Sequence, residues 1–225
     1  MTSLNKKALL GLLQLLVAMG AMLFLPAWTL NYWQAWFFLA VFFTSTLAIT
    51  LYLMKNDPKL LERRVQAGPG SEKEKYQKII QSLASLAFVV VIAFPAVDHR
   101  LGWSLMPTAI AIAGDALVAL GLFAVFLVFK ENTFTSGTIE VASDQIVIST
   151  GPYAIVRHPM YSGAFVMLIG VPLALGSWWG LLTVVPMIVV IVARLLDEEK
   201  FLVKNLEGYA EYRGKVRWRL VPFVW

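Results

Sequence analysis

Apolar runs long enough to cross a lipid bilayer recur along this chain, and no other feature limits its fold so severely. A helix needs roughly 20 apolar residues to span about 30 Å of hydrocarbon. On that measure, spans are expected near residues 8–30, 32–54, 79–97 and 103–129. The stretch 160–196 is too long for one crossing and breaks at Gly176-Ser177-Trp178-Trp179-Gly180, a tight turn with interfacial tryptophans. It reads as a helical hairpin with arms near 160–175 and 181–196. The first arm is short, so it is tilted, partly interfacial or buried in protein. The expected fold is all-α: a polytopic membrane protein of about six transmembrane helices, the fifth and sixth forming the hairpin, with a short C-terminal interfacial helix.

Composition removes the alternatives. The 225 residues are 59% hydrophobic and only 15% charged, too little charge for the surface of a soluble domain of this length. The run from Ala8 to Leu30 follows Lys6-Lys7 in the order of a signal peptide. It is too long for an h-region and has no clear cleavage site, so it reads as a retained first helix. The absence of cysteine excludes disulfides, thiolate nucleophiles and cysteine-based metal centres. No internal repeat is visible, so a repeat architecture or inverted-repeat transporter has no support.

Charge orients the spans. Lys6, Lys7, Lys55, Lys59, Arg63, Arg64, Lys73, Lys75, Lys78, Lys130, Arg157 and every basic residue from Arg194 to Arg219 fall on one side, and Arg100 alone falls on the other. The positive-inside rule then places both termini and the loops 55–78 and 130–159 in the cytoplasm. The net charge of +5 is a matter of topology and anionic head groups, and no nucleic-acid partner is expected. In the loop 55–78, Asn56-Asp57-Pro58 and Gly68-Pro69-Gly70 are turn signals, and Lys59 to Gln66 reads as a short basic surface helix with no further role.

Polar chemistry collects in segments 130–159 and 194–219. In Gly151-Pro152-Tyr153-Ala154-Ile155-Val156-Arg157-His158-Pro159-Met160-Tyr161, Pro159 suits the first turn of a helix and places His158 at its mouth, where backbone N–H groups favour negative charge. That mouth suits a ligand carboxylate or a lipid phosphate, or simply a loop-to-helix cap with aromatic anchors. In Arg194-Leu195-Leu196-Asp197-Glu198-Glu199, Arg194 and Glu198 share one helical face. Either they form an exposed ion pair that ends a membrane helix, or a carboxylate holds a cationic ligand group while the arginine holds an anionic one. Asp115 lies inside the fourth span and is as readily structural as functional. His99, between Asp98 and Arg100, reads as surface; His158 is across the membrane from it, and no metal site is expected. The tail Tyr209 to Arg219 alternates basic and aromatic residues and suits the head-group layer or a lipid-facing entrance.

Taken in order, Glu131-Asn132-Thr133-Phe134, Gly151-Pro152-Tyr153, Arg157-His158-Pro159-Met160-Tyr161-Ser162-Gly163, Arg194, Glu198-Glu199, Tyr209-Ala210-Glu211-Tyr212 and Val221-Pro222 resemble the isoprenylcysteine carboxyl methyltransferase family, most closely its bacterial and archaeal members. The resemblance covers about the last hundred residues. It implies a membrane-embedded enzyme that takes S-adenosylmethionine as cofactor in a cytoplasmic pocket formed by the final helices and the C-terminal segment. Carried over by position, Gln145, Ile146, Val147 and Ile148 would cover the cofactor, Tyr153, His158, Pro159, Met160 and Tyr161 would face it, and Glu198 would hold its amino group. Arg194 would orient a substrate carboxylate, and Glu199 would complete the catalytic set.

The implied division is an N-terminal membrane region, 1–129, and a methyltransferase-like core, 130–225. The implied acceptor is lipidic or prenylated and drawn from the bilayer, with membrane lipids as the other partners. A phospholipid N-methyltransferase, a sterol-reductase-like enzyme using NADPH and a non-catalytic lipid-binding scaffold remain open as other readings of the same residues.

Overall fold

The computed structural model describes residues 2–66, 70, 75–142 and 144–225. Among them are eight α-helices and no strand. The long ones are α1 (Ser3–Ala27), α2 (Trp33–Asn56), α4 (Lys75–Leu101), α5 (Thr108–Glu131) and α7 (Gly180–Asn205). A short α3 (Pro58–Val65) follows α2, α6 (Pro159–Ala174) precedes α7, and α8 (Tyr209–Lys215) lies near the C-terminus. The five long helices have the length and composition to cross a membrane, and only 17–39% of each apolar window is buried within the protein. Side chains such as Leu10, Val17, Leu86, Leu120 and Val189 therefore face outward, where lipid is the only apolar partner.

The hairpin expected around Gly176 is present, formed by α6 and α7. With 16 residues, α6 is roughly 24 Å long, short of the hydrocarbon thickness. Of the three fates open to it, burial is the one observed: Ile169 is its only exposed residue. Its partner is α5, and the contact is made by glycines. A Cβ on Gly121 would lie 2.5 Å from the Gly163 carbonyl oxygen, and one on Gly114 would lie 2.2 Å from the Ala174 nitrogen. From the other side, a Cβ on Gly163 would lie 2.9 Å from the Gly121 oxygen and one on Gly170 would lie 2.6 Å from the Gly114 oxygen. Without a hydrophobic driving force between helices in lipid, such close backbone approach supplies the packing that holds them. The seam also fixes the start of α6, and with it the motif at Pro159, against the end of α5.

The sequence places α7 near 181–196, whereas it runs on to Asn205. The acids 197–199 therefore do not form a turn that ends the helix; they lie on it with more than a turn still to follow. The loop 55–78 is corrected too. Its helix α3 is capped by Asp57, which accepts from the Leu60 N–H at 3.0 Å, and it buries Leu60 and Leu61 against Ala8, Leu53 and Phe129. The turn expected at Gly68-Pro69 and the basic residue Lys73 lie outside the described residues.

At the end of the bundle away from α3, Asp98 is buried in the last turn of α4 rather than on the surface. It accepts from the Ser104 N–H (2.8 Å) and hydroxyl (2.7 Å) and from the Ser177 hydroxyl, which ties α4 to the hairpin turn. His99 stacks on Tyr32 at 3.9 Å between ring centroids, and the Tyr32 hydroxyl donates to the Leu175 carbonyl at 2.6 Å. Asp115 is buried beside the glycine seam, and neither carboxyl oxygen meets a partner among the described residues.

Candidate functional site

A cavity of about 470 Å³ opens at the α3 end of the bundle, a size suited to a small-molecule ligand. Its walls come from both halves of the chain: Arg64 of α3, Gln81 and Ser85 of α4, the loop after α5, the segment 157–161, and Arg194, Glu198 and Leu202 of α7. Leu206, Tyr209 and Tyr212 close it.

The motif Gly-Pro-Tyr shapes one wall. Gly151 has φ +55°, and a side chain there would meet the Glu131 carboxylate at 2.8 Å, so the bend favours glycine. Pro152 then starts a single 3-10 turn, Gly151–Ala154, that swings Tyr153 into the cavity wall. Its hydroxyl accepts from the Asn132 side-chain amide at 3.0 Å. Burial raises the Tyr153 pKa, outweighing the Asn132 hydrogen bond, so the phenol keeps its proton.

Pro159 occupies the first turn of α6 and His158 its N-cap, as the sequence predicts. The anion beside His158 belongs to the chain itself. Glu199 is 4% exposed, and one carboxylate oxygen receives Arg157 Nε at 2.6 Å and lies 3.3 Å from His158 Nε2. The other receives Arg219 Nε at 3.0 Å. Arg157 also donates to the Val216 and Arg217 carbonyls (2.9 and 2.8 Å), while the N–H groups of Arg157 and His158 donate to the Trp218 and Arg219 carbonyls, both at 2.9 Å. The Ser162 hydroxyl adds a bond to the Leu220 carbonyl at 2.6 Å. Residues 216–220 thus lie along 157–162, and the tail is a structural part of the site.

On α7, Glu198 faces the cavity and accepts from the Tyr161 hydroxyl at 2.7 Å. Arg194 donates to the Gly137 carbonyl (3.0 Å) and to Gln77 Oε1 (3.2 Å), and the Gln77 amide also reaches Asp197. Of the residues singled out in the sequence, Gln145, Ile146, Val147, Ile148, Tyr153, His158, Pro159, Met160, Tyr161, Arg194 and Glu198 all line this one cavity. Glu199 does not line it. Expected in the catalytic set, it lies behind the wall, because the helix turns about 100° between neighbouring residues and Glu198 and Glu199 cannot share a face.

Arg64, Gln81 and Tyr209 are among the lining residues that escape the sequence reading. Arg64 and Gln81 come from helices outside the recognisable motifs, and no local pattern marks them. Tyr209 stands in a quoted motif but reads there as an interfacial anchor. It is 5% exposed and packs with Leu206 and Tyr212, and its hydroxyl meets no partner among the described residues. Burial raises its pKa, with the charges of Glu199 and Glu198 adding to the shift, so it is a neutral, unsatisfied phenol in the cavity wall.

Residues 109–208 match the family model for phospholipid methyltransferase. The matched stretch, rather less than half of the chain, begins in α5 and stops one residue short of Tyr209, so it holds most of the cavity wall. No curated protein matches the chain. The matched family is one of membrane methyltransferases, related to the family that the motifs resemble. The chain is therefore similar to membrane methyltransferases over the stretch that builds the cavity, and the narrower carboxyl methyltransferase family does not follow from this match.

Proposed function

We propose that the protein is an integral-membrane, S-adenosylmethionine-dependent methyltransferase that acts on a carboxylate of a lipidic or prenylated acceptor, as isoprenylcysteine carboxyl methyltransferases do. One observation carries the reading: the residues that the resemblance assigns to cofactor and substrate, from three separate stretches of sequence, line a single cavity. The basic residues concentrated at the cavity end support a cytoplasmic position for the site and for both termini.

The lining suits the cofactor. Glu198 offers a carboxylate to an ammonium group, and Val147, Tyr153, Leu202, Leu206 and Tyr212 offer an apolar and aromatic box to an adenine ring. The Tyr209 hydroxyl is buried in the wall without a partner among the described residues, at a cost of about 1–3 kcal/mol, and a small movement of the wall on binding would let it reach a ligand nitrogen or oxygen. Gln145 to Ile148 would cover the ligand, with His158, Pro159, Met160 and Tyr161 opposite.

When bound, S-adenosylmethionine supplies a methyl carbon on a sulfonium; its transfer to a carboxylate oxygen forms the O–C bond as the C–S bond breaks with its electron pair left on sulfur, and no proton moves. Catalysis then rests on alignment. A terminal carboxylate has a reference pKa of roughly 3.3–3.7 and is ionised at neutral pH, so it needs an arginine to aim it and no general base. Arg194 takes that role. Glu199 takes a positioning role, clamping Arg157, His158 and the tail behind the cavity wall.

The phospholipid methyltransferase match favours a second reading, in which the acceptor is a lipid amine. That reaction requires a base to remove a proton. Labelled methyl transfer from S-adenosylmethionine to membrane lipid and prenylpeptide pools separates the two. A base-labile product, lost in Glu198→Ala, is expected; a stable methylated amine supports the second reading. Binding of NADPH without any S-adenosylmethionine binding overturns both.

A further inference from the structure

Two arginines from distant helices line the same cavity and meet at one bend of the loop after α5. Arg64 comes from α3, which is no free surface helix: Leu60 and Leu61 anchor it in the bundle. Its guanidinium lies 5.2 Å from the Phe129 ring centroid and donates to the Ser136 carbonyl at 3.2 Å. Arg194 arrives from α7 and donates to the Gly137 carbonyl at 3.0 Å. Ser136 and Gly137 are consecutive, so helices far apart in sequence bring two guanidinium groups to one bend of the loop, and both line the cavity. Charge on Arg64 is costly here. Burial lowers its pKa, and the nearby Arg194 lowers it further, with Tyr161 acting the other way. Glu140 on the same wall bonds the Ser136 hydroxyl at 3.2 Å.

We propose that Arg64 is a second acceptor-anchoring residue, forming with Arg194 a two-guanidinium clamp that selects the anionic group of the acceptor. The inference rests on the methyltransferase reading for the reaction, though not for the clamp itself. A guanidinium has five N–H donors in a fixed fork that matches a carboxylate. Arg64 uses one on Ser136, so donors remain for a ligand. Two cations held together in a half-buried cavity gain most from an anion placed between them. The acceptor subsite then belongs to both halves of the chain, with α3 as one jaw.

Arg63 provides an internal control. It also ties α3 to the loop, donating to the Thr133 carbonyl at 2.7 Å and lying 5.3 Å from the Phe134 ring, yet it does not line the cavity. If the arginines merely fasten the loop, Arg63→Gln and Arg64→Gln behave alike.

The test uses the full-length protein in neutral detergent with N-acetyl-S-farnesylcysteine and its carboxamide as probes. Binding is measured without methyl donor, and acceptor KM and kcat with it. Arg64→Gln is expected to weaken carboxylate binding about tenfold or more, the loss of one charge-assisted hydrogen bond, and to raise acceptor KM while the S-adenosylmethionine Kd holds. Arg64→Lys is expected to fall in between and Arg63→Gln to match wild type. The wild type is expected to prefer the carboxylate to the carboxamide, and Arg64→Gln to lose that preference. Unchanged carboxylate binding in Arg64→Gln, or equal losses in Arg63→Gln, overturns the clamp. Carboxylate binding that depends on Arg64 but yields no methyl ester leaves the clamp standing and removes the reaction.

Discussion

The two ends of the bundle each bury a carboxylate, and they differ in the space beside it. Charged and polar side chains line the cavity at the Glu199 end, whereas the groove at the Asp98 end is walled mainly by apolar and aromatic residues such as Val90, Phe94, Trp103 and Trp179. Asp98 is held by neutral donors, the Ser104 N–H and the hydroxyls of Ser104 and Ser177, and closes the junction between α4 and the hairpin turn. Glu199 is held by Arg157, Arg219 and His158 and closes a junction too, between the start of α6 and the tail. Both are struts. The difference lies in what stands next to them: beside Glu199 are Glu198, Tyr209 and two arginines facing one open space. A buried charge enclosed by its partners signals architecture, whereas charged and polar side chains gathered around a cavity signal a ligand. The surroundings differ in the same sense. Trp28, Trp33, Trp36, Trp103, Trp178 and Trp179 are all exposed at the Asp98 end, as in a membrane-interface belt, while the basic residues gather at the other.

The largest effect is expected from the seam that aligns the two ends. Gly121→Leu would drive a side chain into the α6 backbone, where a single Cβ already lies 2.5 Å from the Gly163 oxygen. Overpacking of this kind offers no flexible atom to move. Loss of the monodisperse species on size-exclusion chromatography in detergent is the expected outcome; normal recovery would place the weight of the fold elsewhere.

Next come the two struts. Glu199→Ala leaves the buried Arg157 and the half-buried Arg219 without their anion, which costs about 3–5 kcal/mol where a buried pair is broken. Asp98→Asn leaves neutral donors that an amide partly satisfies, at a cost of about 1–3 kcal/mol. Thermal unfolding ranks them. S-adenosylmethionine affinity should fall in the surviving Glu199→Ala protein and stay unchanged in Asp98→Asn. An affinity loss in both would mean that the two ends are coupled.

The smallest effect sharpens the contrast most. Tyr209→Phe removes a hydroxyl with no partner, so stability without ligand should hold or rise slightly. Cofactor affinity should fall about five- to tenfold, the worth of one neutral hydrogen bond of roughly 1–1.5 kcal/mol. Tyr32→Phe, at the other end, should do the reverse: it loses a bonded hydroxyl, so stability falls and affinity holds.

The spans and the hairpin were legible in the sequence because length and apolarity decide them locally. The end of α7 was not. Asp197, Glu198 and Glu199 look like a membrane exit, but the helix continues because Gln77 and Tyr161, distant in sequence, satisfy two of those acids and the Arg157–His158–Arg219 cluster satisfies the third. Most of the candidate site was legible through the ordered motifs of the last hundred residues. Arg64 was not, since a pair of arginines in a basic loop carries no local sign of which one points inward. Nor was the division of labour between Glu198 and Glu199, which helical rotation sets once the neighbouring elements are in place. Tyr209 could have been singled out, because a tyrosine in a cofactor-side motif of a resembling family is a natural wall residue, but its missing hydrogen bond is visible only in three dimensions.

The central claim is that the cavity at the Glu198 end holds S-adenosylmethionine. Isothermal titration of the detergent-solubilised protein tests it most directly, with Glu198→Ala beside the wild type. Saturable binding by the wild type is expected, weakened about tenfold or more in Glu198→Ala, since a hydrogen bond to a charged group contributes about 1.5–3 kcal/mol. No binding by the wild type, or equal affinity in the variant, would contradict it.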